Sequence, residues 1–312
     1  MMISLVQLEY ICALDTYRHF ATAAQKCFVT QPTLSMQVKK LEDHLGIIIF
    51  DRTKQPVIPT EQGRFILEQA RIVLQEAARI DNIVSEIKEQ VTGELRIGLI
   101  PTISPFLLPL FAGRFKKAYP SIDLKVEEAI TENIEEMLMK DLLDSGIVVT
   151  PLNKSSIIER PLYYEEMMIY HHPEHPFALK SEIIVEKIEH GDLWLLGDGH
   201  CFRNQVVNFC DIRKLDSTIL PYKFEGGSIG TLMKIIEREG GYTLIPELAA
   251  MEKPNTTQVK RFSKIKPLRE VSLVFTRKYV KTKLIDVLEE FIASSVPEHF
   301  HRSERGTVVE WR

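Results

Sequence analysis

Cysteine is scarce in this chain, with four among 312 residues, and no apolar run reaches the roughly 18 residues that a membrane helix requires. The N-terminus lacks the shape of a secretory signal, so a reducing cytoplasm is the expected compartment. A permanent disulfide framework is excluded on both counts, and a cysteine pair there points to catalysis, metal binding or redox sensing. Nor does one sign of charge dominate: 39 Lys and Arg stand against 43 Asp and Glu, a formal net charge of -4. That balance does not advertise a polyanionic partner, although a local basic surface does such work whatever the total. The 45% hydrophobic and 26% charged content is that of a soluble globular protein, and the length implies two or three units.

What the chain does have is a clustering of its few thiols. Gly199-His200-Cys201-Phe202-Arg203-Asn204-Gln205 is followed by Asn208-Phe209-Cys210, so two of the four cysteines lie nine positions apart. A thiol reacts as thiolate, and cationic or hydrogen-bond-donating neighbours such as His200 and Arg203 lower its pKa from about 8.5. A second thiol within reach resolves an oxidised sulfur as a disulfide. Three readings compete: two buried small hydrophobes, a metal site, and redox chemistry. Metal binding is the weakest, because the spacing is not that of a zinc knuckle and Cys12 and Cys27 belong to another domain. No metal and no cofactor is expected.

The first sixty residues have helical periodicity. Leu5, Leu8, Ile11, Cys12 and Leu14 to Tyr17 predict a helix capped by Ser4, and Phe20-Ala-Thr-Ala-Ala24 a short Ala-rich one. Thr30 or Gln31 then precedes Pro32, which suits a first helical turn. Leu34, Val38, Leu41 and Leu45 predict a helix from about Pro32 that Gly46 ends. Its outward face carries Gln31, Thr33, Ser35, Met36 and Lys39, the polar set that a recognition helix presents to base edges and phosphates. Ile47 to Phe50 and Pro56 to Pro59 bracket Asp51-Arg52-Thr53-Lys54 as a two-stranded wing with a basic tip. The competing reading is a solvated face on an ordinary bundle.

Ala23-Ala24, the run Thr30 to Glu42, Leu45-Gly46, Phe50-Asp51-Arg52 and Pro59-Thr60-Glu61-Gln62-Gly63 resemble the winged helix-turn-helix of LysR-type transcriptional regulators. The resemblance implies DNA binding by a dimer or tetramer, with Gln31, Pro32, Thr33, Ser35, Lys39, Arg52 and Thr53 as contacts, and RNA polymerase as a further partner. Met36 replaces the basic residue common after the Ser, which implies one contact fewer.

From Thr60 to about Gln90 no proline occurs. Phe65, Ile66, Ala70, Val73, Leu74, Ala77, Ile80, Ile83, Val84 and Ile87 form a stripe on a helix about 45 Å long. A stripe of that length needs a partner, and a helix pair across a dimer supplies one; packing on its own domain is the alternative. A two-fold dimer favours a pseudo-palindromic operator.

Beyond Thr92-Gly93, strands are expected at Glu94–Ile100, Leu124–Ile130, Ser145–Thr150, Met167–His171, Leu193–Leu196, Tyr222–Glu225, Tyr242–Ile245 and Val271–Thr276. A helix follows Ser104 and another begins at Thr131-Glu132. Alternating strand and helix means an α/β fold. The layout is similar to the two-lobed, periplasmic-binding-protein-like effector domain of the LysR family. The expected organisation is a winged helix-turn-helix at 1–60, a linker helix at 61–92 and an effector domain at 93–312. Its first lobe takes about 93–161 and 267–312, and its second about 162–266. Thr102 and Thr131 fall at strand-to-helix junctions, where a hydroxyl is either a helix cap or part of a cleft lining.

Leu195-Leu196, Asp198-Gly199-His200-Cys201, Arg203, Gln205 and Phe209-Cys210 are similar to the redox motif of the OxyR subfamily, the hydrogen-peroxide-sensing LysR regulators. Ile97-Gly-Leu-Ile-Pro-Thr102, Glu128-Ala129 with Thr131, and Leu244-Ile-Pro246 agree as well, and the resemblance spans essentially the whole chain. It implies Cys201 as the peroxide-reactive thiol and Cys210 as the resolving thiol. It implies that Thr102, Thr131 and His200 place or activate peroxide, and that Arg269 contacts the region of the second cysteine. Phe202, Asn204 and Asn208 depart from the pattern without removing donors or thiols. The expected function is peroxide-dependent activation of oxidative-stress genes through a reversible disulfide. A metabolite-responsive LysR regulator is the alternative, and the DNA-binding domain argues against a thiol peroxidase enzyme.

Overall fold

A computed structural model describes residues 3–87 (81–87 as backbone), 91–188, 191–212, 222, 224–253, 256–276 and 282–311. The chain divides into two compact units, one within Met1–Gln90 and one formed by Val91–Arg277 with Lys283–Arg312.

In the first unit, α1 (Leu5–Tyr17) opens with a capping box: Ser4 Oγ accepts from the Gln7 amide at 3.2 Å, and Gln7 Oε1 accepts from the Ser4 amide at 3.2 Å. Next come α2 (Phe20–Lys26) and α3 (Gln31–Leu45). Thr30 caps α3 by accepting from the Thr33 amide at 3.4 Å, and Gly46 ends it at φ 69°. Small Ala23 and Ala24 let Leu8, Ile11, Leu14, Leu34, Val38 and Leu41 close into one core. Each such buried side chain contributes about 1.5–3 kcal/mol. The wing is shorter than expected: β1 (Phe50–Asp51) pairs antiparallel with β2 (Ile58–Pro59).

The predicted linker helix is α4 (Glu61–Ile87), whose 27 residues span about 40 Å. Its stripe splits in two. Leu67 and Ala70 are buried, and Ile66 and Leu74 pack on the same core, whereas Phe65 and Ile80 are 69% and 65% exposed. Leu67, absent from the expected stripe, is the better buried residue. The side chains of Ile83, Val84 and Ile87 lie outside the described residues.

In the second unit the order is β3 (Gly93–Leu99), α5 (Ser104–Ala118), β4 (Ile122–Glu128), α6 (Thr131–Met139), β5 (Ser145–Thr150), β6 (Ile157–His171) and β7 (Glu182–Ile183). Then follow α7 (Cys201–Phe209), α8 (Ile229–Glu239), β8 (Tyr242–Pro246), α9 (Glu247–Met251), β9 (Val259–Phe262), β10 (Pro267–Thr276), α10 (Thr282–Ala293) and β11 (Thr307–Val308). The strands run β4-β3-β5-β10-β6-β9-β7, with β11 on β10 and β8 on β6. Strand β3 lies parallel to β4 and β5, as βαβ crossovers require. Fifteen-residue β6 joins two strand groups: Ile157–Glu166 pair with β10 and Met167–His171 with β8.

Two expected strands are not there. Leu193–Leu196 runs beside β8 but forms only one bridge, Leu193 to Tyr242, because Thr243 Oγ1 takes the Trp194 carbonyl at 2.7 Å. Tyr222, Phe224 and Glu225 lie in loop, and Lys223 is outside the described residues. The Gly197 amide reaches Gly226 O at 2.9 Å and ties these two segments together.

Candidate functional site

Gly199 sits at φ 86°, a left-handed turn that glycine adopts freely. The turn delivers His200 as the N-cap of α7 and Cys201 as its first residue. Cys201 is only 3% exposed, and burial pushes its thiol up to about 11. Three groups pull the other way: the Arg269 charge, the Thr131 hydroxyl hydrogen-bonded to the sulfur, and the Phe202 amide at the helix N-terminus. The Glu132 carboxylate opposes them.

Arg269 comes from β10 and is fully buried. Its Nε and Nη2 lie 2.8 and 2.7 Å from Glu165 Oε1, Nη2 donates to Thr102 O at 3.0 Å, and Nη1 donates to Thr102 Oγ1 at 3.3 Å. The guanidinium lies 5.2 Å from the Phe202 ring centroid. This corrects the expectation that Arg269 serves the second cysteine: in this state it stands by the first. Thr102 and Thr131 are equally specific. Neither caps a helix, since Ile103 and Ile130 hold the cap positions; one supports Arg269 and the other faces Cys201.

Arg203 is the second correction. Its Nε pairs with Asp198 at 2.8 Å and its Nη1 donates to Leu196 O at 3.3 Å, so it pins the turn before α7. Adjacency in sequence misled here, because residue i+2 of a helix points away from residue i. His200 is pressed against Gly227, where an added Cβ would stand 2.3 Å from the imidazole Cε1. Burial lowers the His200 pKa below its ordinary value, against a smaller pull from Glu132, so the ring is neutral at pH 7.

Cys210 is the C-cap of α7, buried, and pushed up to about 12 by burial alone. Both thiols are free. Nine helical steps separate them, about 13 Å, and a disulfide requires Cα atoms within about 7 Å. Phe209 packs edge-on against Phe262 with centroids 4.8 Å apart. Among the described residues, no group of three His, Cys, Asp or Glu is placed to hold a metal ion.

On the first unit, Gln31, Ser35 and Lys39 align at i, i+4 and i+8 on one face of α3, with Pro32 and Met36 exposed beside them. Thr33 turns back, its hydroxyl 2.8 Å from Thr30 Oγ1. Arg52 is drawn inward to Glu42 at 2.6 Å and lies over the Phe20 ring. Thr53 donates its amide and hydroxyl to Asp51 Oδ1 at 2.9 and 2.6 Å, holding the Asp51 carboxyl below its ordinary range. The tip is thus less basic than its residue types suggest.

Residues 5–64 match the bacterial regulatory helix-turn-helix protein of the lysR family, and residues 88–296 match the LysR substrate binding domain. The chain belongs to the LysR family, in its OxyR branch. It is 36% identical to a hydrogen peroxide-inducible genes activator of Haemophilus influenzae, over 86% of this chain and 89% of that one. It is 33% identical to the DNA-binding transcriptional dual regulator OxyR of Escherichia coli, over 95% and 96%. A full-length cysteine-to-aspartate OxyR variant from Pseudomonas aeruginosa superposes with a TM-score of 0.79 at 32% identity, covering 94% and 95% of the two chains. A peroxide-bound cysteine-to-serine variant of Corynebacterium glutamicum OxyR gives 0.61 at 27% identity, covering 95% and 93%.

Within this LysR-type regulator three site residues escaped the sequence reading: Glu165, Phe202 as a ring under Arg269, and Gly227 under His200. Only Glu165 left a signal. Glu165-Glu166 interrupts the apolar run through Met167–His171, and consecutive carboxylates inside a strand must each find a cation on opposite faces. Arg269 and Arg261 are those cations.

Proposed function

We propose that this regulator senses hydrogen peroxide through a reversible Cys201–Cys210 disulfide and, as a dimer or tetramer on pseudo-palindromic promoter DNA, activates oxidative-stress genes in the cytoplasm. Residues 1–60 read the DNA, 61–92 pair between copies, and 93–312 carry the switch. The carrying observation is the placement of the two thiols at opposite ends of one helix, the first beside a buried cation and a hydroxyl donor.

Burial pushes the Cys201 thiol up to about 11, so at pH 7 it rests as the neutral thiol. Peroxide entry between Thr102, Thr131 and His200 supplies the donors that burial withholds, and neutral His200 accepts the thiol proton. The Cys201 sulfur attacks one peroxide oxygen and the O–O bond breaks. The sulfur becomes a sulfenic acid, and the departing hydroxide gains the proton and leaves as water. Cys210 then attacks the Cys201 sulfur, expelling the second oxygen as water and leaving a disulfide. Because the ends of α7 stand too far apart, this step unwinds the helix, and a discrete refolding is what alters assembly on DNA. A dithiol reductant resets the pair by exchange.

Mass spectrometry after a brief peroxide pulse tests this. The wild type should yield a Cys201–Cys210 disulfide, Cys210→Ser a trappable Cys201 sulfenic acid, and Cys201→Ser neither, with its promoter response lost. A promoter response retained in Cys201→Ser would overturn the reading.

A further inference from the structure

Helix α7 is held from one side by the segment Thr307–Trp311. Gln205 Nε2 donates to Val309 O at 2.8 Å, and Asn208 Nδ2 donates to Glu310 O at 3.0 Å. Both side chains lie between the cysteines, at i and i+3 on one helical face. The segment is itself fixed to β10: Thr307 and Val309 donate their amides to Lys266 O and Leu268 O at 2.9 and 2.8 Å. At Gly306 any Cβ would meet Lys266 O at 2.3 Å, so the segment runs hard against the strand. The next residue of β10 is Arg269, the cation at Cys201.

Two features make this contact specific to the helical form. Residues three apart on a helix share one face and rise only about 4.5 Å, which matches Gln205 and Asn208 to neighbouring carbonyls of one segment. An unwound α7 loses that match. Further, Gln205 is fully buried, and among the described residues its Oε1 has no partner. Half of this amide is satisfied by the segment alone, and the other half carries the penalty of a buried unpaired acceptor. The helix is therefore held by the latch and strained by the same side chain.

We propose that Thr307–Trp311 is a latch on the reduced form, with Gln205 and Asn208 as positioning residues that set how readily α7 unwinds for disulfide formation. The inference rests on the Cys201–Cys210 disulfide reading. The latch acts on the second step: Cys210 cannot reach the Cys201 sulfenic acid until Gln205 and Asn208 release Val309 and Glu310. Attack of Cys201 on peroxide precedes that release and does not depend on it.

The test uses the full chain with Asn208→Ala and Val309→Pro. Proline at 309 removes the amide that ties the segment to Leu268 while leaving α7 untouched. Asn208 is exposed, so its variant guards against simple misfolding. In the reduced protein, amides of 201–210 should exchange about threefold to tenfold faster in each variant, the loss of one hydrogen bond. Conversion of the sulfenic acid to the disulfide should accelerate by a similar factor, and the disulfide should persist at a higher thiol-to-disulfide buffer ratio. Sulfenic acid formation, followed in a Cys210→Ser background, should keep its rate. Unchanged α7 exchange and unchanged conversion, in variants of a protein whose wild type forms the disulfide, overturn the latch alone. A wild type that forms no such disulfide overturns the switch and the latch with it.

Discussion

Arg269 and Glu165 meet with Nη2 2.7 Å from Oε1 at a point where neither side chain is open to solvent. The pair does two jobs. It keeps a cation in a dry site, and it aims that cation at the Cys201 thiol, where it is the largest influence favouring the thiolate. Arg269→Met should slow peroxide oxidation of Cys201 by about tenfold or more and raise the thiol pKa further. The same change strands a buried carboxylate and should cost about 3–5 kcal/mol of stability. Adding Glu165→Gln should recover much of that stability without recovering the rate. Stopped-flow oxidation and chemical denaturation on the two variants separate these effects. A double variant that regained the wild-type rate would show that Arg269 acts only as a structural ion pair.

Gly227 sits where a methyl group would press into the His200 ring, 2.3 Å from Cε1. Gly227→Ala should push the imidazole out of its buried seat. The His200 pKa, now lowered mainly by burial, should climb back toward 6.5. Overpacking of this kind costs about 1–3 kcal/mol. An NMR titration of the His200 ring checks the outcome, and a curve identical to the wild type would refute it.

Cys201 and Cys210 should make the reduced protein sensitive to alkali. Burial raises Cys201 to about 11 and Cys210 to about 12 from 9.0, so the folded state holds these protons more tightly than the unfolded chain. Their contribution is fully present below pH 9 and is lost as pH rises through 11 to 12. Each thiol accounts for a few kcal/mol at most. Buried tyrosines such as Tyr164, also raised to about 12, share the trend. The comparison that isolates the thiols is therefore between the reduced wild type and the Cys201→Ser, Cys210→Ser double variant. Urea midpoints from pH 8 to 11 should fall more steeply for the wild type.

Local signals were legible in the sequence and long-range ones were not. Ser4, Thr30 with Pro32, and Gly46 announce helix ends because a cap is decided by its own few residues. The thiol pair and the two threonines were legible through family likeness. Strand β6 was half missed, since Glu159-Arg160-Pro161 and Glu165-Glu166 break its alternation, and only the distant cations Arg269 and Arg261 explain the burial of Glu165 and Glu166. Arg203 and Arg269 exchanged importance for the same reason. A helix turns residue 203 away from 201, while a strand 68 positions downstream returns residue 269 to it. Burial was illegible too, and it reversed the simple expectation that Cys201 rests as a thiolate.

Glu42 governs the wing beside the recognition helix. Its buried carboxylate accepts from the Ile49 and Phe50 amides at 2.8 and 3.2 Å and from Arg52 at 2.6 Å. Arg52 is thus positioned from beneath, and Glu42→Ala should loosen both the arginine and the strand start. Affinity for promoter duplex should then fall. Arg52→Ala, if the residue touches a phosphate, should lower the slope of log affinity against log salt by about 1. Met36 offers the converse. It is 49% exposed beside Ser35 and Gln37 on α3, so Met36→Arg adds a cation without disturbing the core. That variant should bind more tightly at low salt and raise the slope by about 1. Fluorescence anisotropy across a salt series measures both slopes. A Met36→Arg slope equal to that of the wild type would place this face of α3 away from the DNA backbone.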